Sequence, residues 1–177
     1  MIRKAKKEEA KEVITLLAKA MDDMIYHLSG CNAYNEAIDV LCEFYKQENN
    51  RLSYSNIYVY EQNQKILAAL CCYDGALADE LDKPLNENLN SLNKKVLKEC
   101  ENEFYLDSIS VEEKARGRGI AKELIEYAYK KALEKNKKLS LIVEEYNQNA
   151  QNLYKKIGFK TIKTKTLYGH IYNYMEK

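Results

Sequence analysis

The chain has 177 residues, 46% of them hydrophobic and 31% charged, and its formal net charge is +1. This length suits a single domain spanning residues 1–177, and no run approaches the ~18 apolar residues of a membrane span. The near-neutral charge argues against a nucleic-acid-binding protein, because such proteins usually carry a basic excess.

The amino-terminal part alternates between extended and helical patterns. Residues 2–5 have the character of an edge strand. Apolar residues then recur at three- and four-residue spacing over 7–28 and again over 35–48, which predicts two helices. Two extended runs, 56–61 and 65–73, are joined by three polar residues and predict a β-hairpin.

The segment 74–102 has the weakest pattern. Pro84 interrupts it, and several asparagines lower the helix propensity of the residues that follow. Five apolar residues nevertheless fit one helical face: Leu85, Leu89, Leu92, Val96 and Cys100. Because long structureless loops are uncommon in compact domains, we expect a helix or helix-like lid here, or an insertion on the substrate side.

Residues 104–111 predict a strand whose alternation contains a defect. Phe104 and Leu106 are apolar at even positions, whereas Ile109 and Val111 are apolar at odd positions. The switch predicts either a strand that is buried on both faces or one extra residue near Asp107 and Ser108. Extra residues of this kind, β-bulges, often lie beside functional sites.

The remaining pattern predicts a helix over 119–136, a strand over 139–143, a helix over 148–157 and an antiparallel pair over 159–164 and 170–175. The order is β-α-α-β-β-(lid)-β-α-β-α-β-β, without an internal repeat or linker. The five cysteines have no metal-ligand spacing, so we expect reduced thiols, no metal site and a cytoplasmic location.

The junction between the strand at 104–111 and the next helix has the residues of an anion site. Gly117 and Gly119 stand where the helix begins and allow the backbone to approach a ligand, while Arg116 and Arg118 supply charged donors. The first N–H groups of a helix lack partners, and the helix dipole favours an anion. The junction therefore predicts a phosphate or pyrophosphate site, the alternative being a tight turn with two exposed arginines. The P-loop and dinucleotide patterns are absent.

Two segments resemble the GNAT superfamily of N-acetyltransferases. Arg116 to Ala121 resembles its [QR]-x-x-G-x-[GA] signature, and Asn147 to Phe159 resembles N-x-x-A-x-x-[LF]-Y-x-x-x-G-F. The resemblance covers residues 104–164 well. It implies a mixed α/β (α+β) fold: a twisted, mostly antiparallel sheet of six to seven strands, flanked by helices and splayed at one strand pair to admit CoA.

The resemblance also implies how acetyl-CoA would be held. The pyrophosphate would bind the backbone N–H groups of Arg116, Gly117, Arg118, Gly119, Ile120 and Ala121. The main chain of Ile109, Ser110 and Val111 would pair with the pantetheine arm like an added strand. Asn147 would hold a pantetheine amide, which needs both a donor and an acceptor.

Tyr154 is the candidate general acid. An amine that attacks a thioester expels a thiolate, which gains from protonation, and a tyrosine with an unperturbed pKa near ~10 can donate the proton. The alternative is an aromatic side chain that only packs on its helix. For the general base we expect Glu103, eight residues before Val111, or else Asp107, and the alternatives are structural carboxylates and a chain of waters.

The sequence therefore predicts an enzyme that moves an acetyl group from acetyl-CoA to a primary amine by direct attack in a ternary complex, as a monomer or homodimer. The alternative is a CoA-binding regulatory module without turnover. The acidic residues of 74–102 would suit a cationic amine. The acceptor is left open between an amino acid, a polyamine, an aminoglycoside-like drug and a protein amine, with no nucleic-acid or membrane partner expected.

Overall fold

Seven strands form one sheet in the computed structural model, which describes residues 1–177. The strands are β1 (Ile2–Lys4), β2 (Ile57–Gln62), β3 (Lys65–Asp74), β4 (Phe104–Val111), β5 (Leu139–Glu144), β6 (Lys160–Leu167) and β7 (His170–Glu176). Their spatial order is β1-β2-β3-β4-β5-β7-β6, and only the β4–β5 pair is parallel. The predicted mixed and mostly antiparallel sheet is confirmed.

Seven α-helices cover the two faces of the sheet. They are α1 (Ala10–Met21), α2 (Met24–Ser29), α3 (Tyr34–Lys46), α4 (Ala78–Leu81), α5 (Lys83–Asn90), α6 (Ile120–Glu134) and α7 (Gln148–Lys156). The apolar stripes of α1, α2 and α3 are buried on one face, and those of α6 and α7 on the other. The sheet is thus the middle of three layers. None of the helices has the length and apolar character that a membrane crossing requires.

The single helix predicted over 7–28 is wrong. The structure divides it into a 3₁₀ turn at Lys7–Glu9, then α1, then α2. Asp22 ends α1 with a φ of 48°, a backbone conformation that residues other than glycine rarely adopt. The apolar spacing runs through the break because Met21 and Ile25, on either side of it, are both buried in the same core.

The helix predicted from Leu85 to Cys100 is also wrong beyond Asn90, where α5 ends. The N–H of Val96 donates to the side-chain oxygen of Asn86 at 2.7 Å, so an asparagine side chain replaces a helical carbonyl there. Pro84 lies in the first turn of α5, where proline is tolerated because that N–H has no helical partner. Residues 91–103 therefore contain no regular helix, although Val96, Glu99 and Cys100 are buried.

β4 contains the predicted bulge. Cys71 lies opposite Ser108 and Cys72 opposite Leu106, which leaves Asp107 as the extra residue. β4 pairs with β5 only through Phe104 with Leu139 and Tyr105 with Ser140. Beyond these two pairs the strands diverge, so the splayed strand pair is confirmed.

β6 is the outer strand at one edge of the sheet. It is longer than predicted, and all of its residues except Lys165 and Leu167 are exposed. Thr161 lies opposite Met175 and Lys163 opposite Tyr174, so Ile162 is an extra residue that forms a second bulge. The edge is thus irregular and rich in lysine.

Candidate active site

A cleft of about 310 Å³ opens between the diverging halves of β4 and β5. Its lining includes Met21 and Asp22 from the α1–α2 junction, Asp107 and Ser108 from the bulge, and Asn147 and Tyr154 from the second signature segment. The fold thereby places the bulge of β4 and the candidate acid Tyr154 around the same cleft.

The carboxyl-terminal half of β4 has one free edge. Ile109, Ser110 and Val111 pair with β3 on one side and have no strand partner on the other. A strand edge with free N–H and C=O groups can bond to an extended ligand as it would to another strand. The predicted role of these three residues toward pantetheine therefore has the backbone geometry it needs.

The turn before α6 exposes a row of unpaired N–H groups. Gly117 and Gly119 have φ values of 77° and 83°, and a Cβ on either would meet nothing within 4 Å. The backbone N–H groups from Gly117 to Lys122 donate to no protein acceptor, whereas that of Arg116 donates to the carbonyl of Glu113. The free row therefore begins one residue later than the resemblance implies, and it lies at the helix N-terminus, where backbone N–H groups favour an anion.

The two arginines of this turn are exposed and only partly engaged. The Nε of Arg116 donates to the carbonyl of Val111 at 3.3 Å, and an Nη of Arg118 donates to the side chain of Gln62 at 2.5 Å. Each guanidinium has five N–H donors, so both keep donors for a phosphate.

Tyr154 lies in the last turn of α7, the helix of the second signature segment, and is 9% exposed. Its ring packs edge-on against Phe159 at 5.7 Å, and its hydroxyl has no hydrogen-bond partner in the protein. Burial raises the pKa of the hydroxyl to about 12. Tyr154 is therefore protonated at neutral pH and free to donate into the cleft.

The side chain of Asn147 is partly engaged within the protein. It is the N-cap of α7, and its side-chain oxygen accepts the N–H of Ala150 at 3.1 Å. Its Nδ2 has no partner in the protein and can donate to a ligand carbonyl, while Oδ1 keeps one lone pair for a further donor.

Arg51 was missed in the sequence and lies at the base of the cleft, 1% exposed. It follows α3 in a loop, and its Nη2 lies 2.8 Å from Glu99 and 2.5 Å from Asp107. Its Nη1 lies 3.5 Å from Asp82. We call these four residues the Arg51 cluster. Arg51 is the only cation among them, and its Nε also donates to Asp107 at 3.0 Å.

The carboxylates of Asp107 and Glu99 differ in the hydrogen bonds that they accept besides those from Arg51. The Oδ2 of Asp107 accepts hydrogen bonds from Arg51 and from the hydroxyl of Tyr73 (3.1 Å), which leaves Oδ1 without a protein donor. Glu99 accepts Arg51 and Tyr105 (2.6 Å) on Oε2, and its buried Oε1 has no partner. Both residues line the cleft.

Asp82 lies behind Arg51, outside the cleft lining. Burial raises the pKa of its carboxyl to about 6, with Arg51 opposing the shift and Glu99 and Asp107 adding to it. Arg51 therefore offsets only part of the rise in the pKa of Asp82.

Glu103 does not line the cleft. It precedes β4 where that strand is still paired with β5, and its carboxylate accepts the N–H of Glu101 at 2.9 Å. Partial burial works to raise its pKa, but the nearby Tyr174 hydroxyl and backbone N–H groups outweigh it, so the pKa lies below its usual value. Such a carboxylate is a weaker base than an ordinary glutamate.

The cluster left no motif in the sequence. Arg51 stands in the polar run Glu48–Ser53, which has the composition of an exposed loop. The preceding residue, Asn50, is fully buried, and its amide caps the end of α3 by donating to the carbonyls of Phe44 and Gln47. No spacing within the run predicts that arrangement.

The chain is similar to known acetyltransferases. Residues 22–159 match the acetyltransferase (GNAT) family. A solved acetyltransferase structure is 30% identical with a TM-score of 0.77, over 100% of this chain and 98% of that one. An N-acetyltransferase from Staphylococcus aureus Mu50 is 27% identical with a TM-score of 0.86, over 100% of both chains.

A more distant structure, the ribosomal-protein-S18-alanine N-acetyltransferase from Escherichia coli, shares 15% identity with a TM-score of 0.61, covering 99% of this chain and 91% of that one, and shows the fold alone. No curated protein sequence matches significantly. The family match spans most of the chain, including the turn at 116–121 and Tyr154. This chain belongs to the GNAT family of acetyltransferases.

Proposed function

We propose that this acetyltransferase, as one domain over 1–177, acetylates a primary amine by direct attack on acetyl-CoA in a ternary complex. The observation that carries the proposal is that two groups of complementary chemistry line the same cleft. The unpartnered hydroxyl of Tyr154 and the Asp107 carboxylate, with its free Oδ1, both line it. These are an acid and a base of the types that the reaction needs.

The residues present fit acetyl-CoA. Its pyrophosphate would bind the free N–H groups from Gly117 to Lys122, with Arg116 and Arg118 adding charge. The pantetheine arm would pair with Ile109 to Val111, and Asn147 would donate to one of its carbonyls. The open space above both glycines supports this arrangement, since any side chain there would obstruct the phosphates.

In the reaction, the amine nitrogen attacks the thioester carbon, so a C–N bond forms and the C–S bond breaks. The amine proton passes to Asp107, directly or through water, and the departing sulfur receives a hydrogen bond or a proton from Tyr154. A hydroxyl with a pKa of about 12 is a weaker acid than a thiol near ~8.5. Complete transfer is therefore uphill on its own, and Tyr154 acts chiefly by stabilising the charge that develops on sulfur.

A screen of primary amines with acetyl-CoA, with release of free thiol as the readout, tests the function. Turnover of at least one amine is expected. CoA binding with no acceptor in a broad library would instead indicate the regulatory module without turnover.

Paired variants then locate the base. Asp107→Asn is expected to lose about 10²-fold in kcat/KM near pH 7 and to recover partly at higher pH, where more amine arrives deprotonated. Glu103→Gln, which removes a carboxylate outside the cleft, is expected to behave like the parent. A larger loss in Glu103→Gln would move the base to Glu103, and parallel pH–rate profiles would assign the proton to water. Melting temperatures check that each variant folds.

A further inference from the structure

The Arg51 cluster carries more negative than positive charge. One guanidinium faces the carboxylates of Asp82, Glu99 and Asp107, so the fully ionised cluster has a net charge of −2. No lysine forms a salt bridge with these carboxylates, and the Nζ of Lys165 donates to the backbone carbonyl of Glu99 at 2.6 Å. Unbalanced buried charge is costly unless a cation or a donor completes it.

Glu99 supplies a specific vacancy in the hydrogen bonding of this cluster. Its side chain is 4% exposed, and its Oε1 is buried without any partner although the residue lines the cleft. The Oγ of Ser108 is likewise buried, unpartnered and in the cleft lining. An unpaired buried acceptor is costly, so a donor that enters the cleft and reaches Oε1 is bound more tightly.

The rest of the cleft lining is also acidic. Asp22 and Glu144 line it, while Lys19, the other cation of the lining, lies 3.0 Å from Glu112 and is partly neutralised by it. Arg51 already faces three carboxylates, since its Nε and Nη2 donate to Asp107 and Glu99 and its Nη1 lies 3.5 Å from Asp82. The lining therefore favours cations and disfavours carboxylates.

The reacting amine is not the best ligand for Glu99. That amine must be neutral when it attacks, and a carboxylate that stabilises its charged form would slow the reaction. A cation that keeps its charge throughout gains from Glu99 in the ground state and in the transition state alike. The carboxylate thus suits a second ammonium group on the same acceptor.

We propose that Glu99 binds a non-reacting ammonium group of the acceptor, so that the enzyme acts on compact diamines in preference to monoamines and amino acids. This inference rests on the proposed amine acetylation. It also gives residues 74–102 a role on the substrate side, since Asp82 and Glu99 both come from that segment.

The test compares three acceptors of similar length at saturating acetyl-CoA: 1,4-diaminobutane, butylamine and 4-aminobutanoate. The diamine is expected to exceed butylamine in kcat/KM by at least about tenfold, mainly through a lower KM, and 4-aminobutanoate to be the poorest. Equal kcat/KM for the diamine and butylamine would overturn the inference while leaving amine acetylation intact.

Glu99→Gln keeps the shape of the side chain and removes one charge. It is expected to abolish the preference for the diamine over butylamine, a ratio that general damage to the fold would leave unchanged. Glu101→Gln removes a charge two residues away on an exposed side chain and is the matched control. A preference that persists in Glu99→Gln would refute the role of Glu99.

If neither amine is acetylated, calorimetry with 1,4-diaminobutane on the CoA complex decides the cation site independently of turnover. Binding that weakens about tenfold in Glu99→Gln but not in Glu101→Gln supports the site. Absence of binding to the parent protein refutes it. Failure of the proposed reaction and failure of the cation site are in this way separate results.

Discussion

Compared with the turn at 116–121, which offers main-chain N–H groups to a ligand, the Arg51 cluster offers only side chains. The turn is a continuous piece of chain, and its donors are set by two glycines and the start of α6. The cluster joins a loop, the 74–102 segment and the bulge of β4. The comparison shows that a site made of backbone is written locally, whereas a site made of side chains depends on how distant segments pack.

The largest expected effect comes from removing the cation of the Arg51 cluster. Arg51→Met leaves three buried carboxylates without their cation, which is expected to lower the free energy of unfolding by about 3–5 kcal/mol at neutral pH. Urea denaturation measures it. Arg3→Met is the matched control, because Arg3 pairs with Glu9 and Glu61 near the surface, where about 1 kcal/mol or less is expected. Similar losses in both variants would contradict a special role for burial.

A second variant separates chemistry from binding. Tyr154→Phe removes only the hydroxyl that has no protein partner, so the fold and the affinity for CoA are expected to stay unchanged. The value of kcat is expected to fall about 10²-fold, as for loss of a general acid. Steady-state kinetics and calorimetry measure the two quantities, with Tyr60→Phe, outside the cleft, as the control. A parental kcat would make Tyr154 a packing residue.

Gly119→Glu disrupts the site at 116–121, because it places bulk and negative charge over the free backbone N–H groups. Affinity for CoA is expected to fall by at least about tenfold, or ~1.4 kcal/mol. Gly119→Ala is the control for backbone strain, because its φ of 83° penalises any side chain but a methyl group meets nothing within 4 Å. Equal CoA affinity in both variants would show that strain, and not the anion site, sets the effect.

The smallest expected effect sharpens the picture of the cluster's charge. The pKa of Asp82 is raised to about 6, so its contribution to stability is full at low pH and is lost as the pH rises through that value. Asp82→Asn lacks this dependence. Relative to the parent, the variant is expected to gain about 1 kcal/mol in unfolding free energy between pH 5 and pH 7.5. A constant difference across this range would show that Asp82 does not titrate there.

Much of the fold was predictable because its signals are local. The strand order along the chain, the bulge at Asp107 and the start of α6 follow from apolar spacing and from glycine placement. The break in the first helix was not predictable, since Met21 and Ile25 continue the apolar period across Asp22. A hydrophobic period reports which side of a segment is buried, and it does not report whether the backbone stays helical.

The site divides in the same way. Tyr154 and Asn147 were reached through the resemblance of residues 147–159 to the family signature, and the glycines of the turn through their place at the start of a helix. Glu103 was favoured by its distance along the chain from Val111, but the cleft lining includes Asp107 and excludes Glu103. Arg51 and Glu99 were not reached at all, because a charged residue in a polar loop carries no sign of burial until its partners are known.

The outer strand β6 has a consequence for how the protein behaves in crowded solution. Neighbouring copies that met along this edge would bring Lys160 and Lys163 of one chain against the same residues of the other, and the extra residue at Ile162 would interrupt the ladder. Like charges and a bulge at a sheet edge oppose the growth of intermolecular β-structure. The protein therefore has built-in resistance to aggregation on that side, and salt, which screens the lysines, is expected to weaken it.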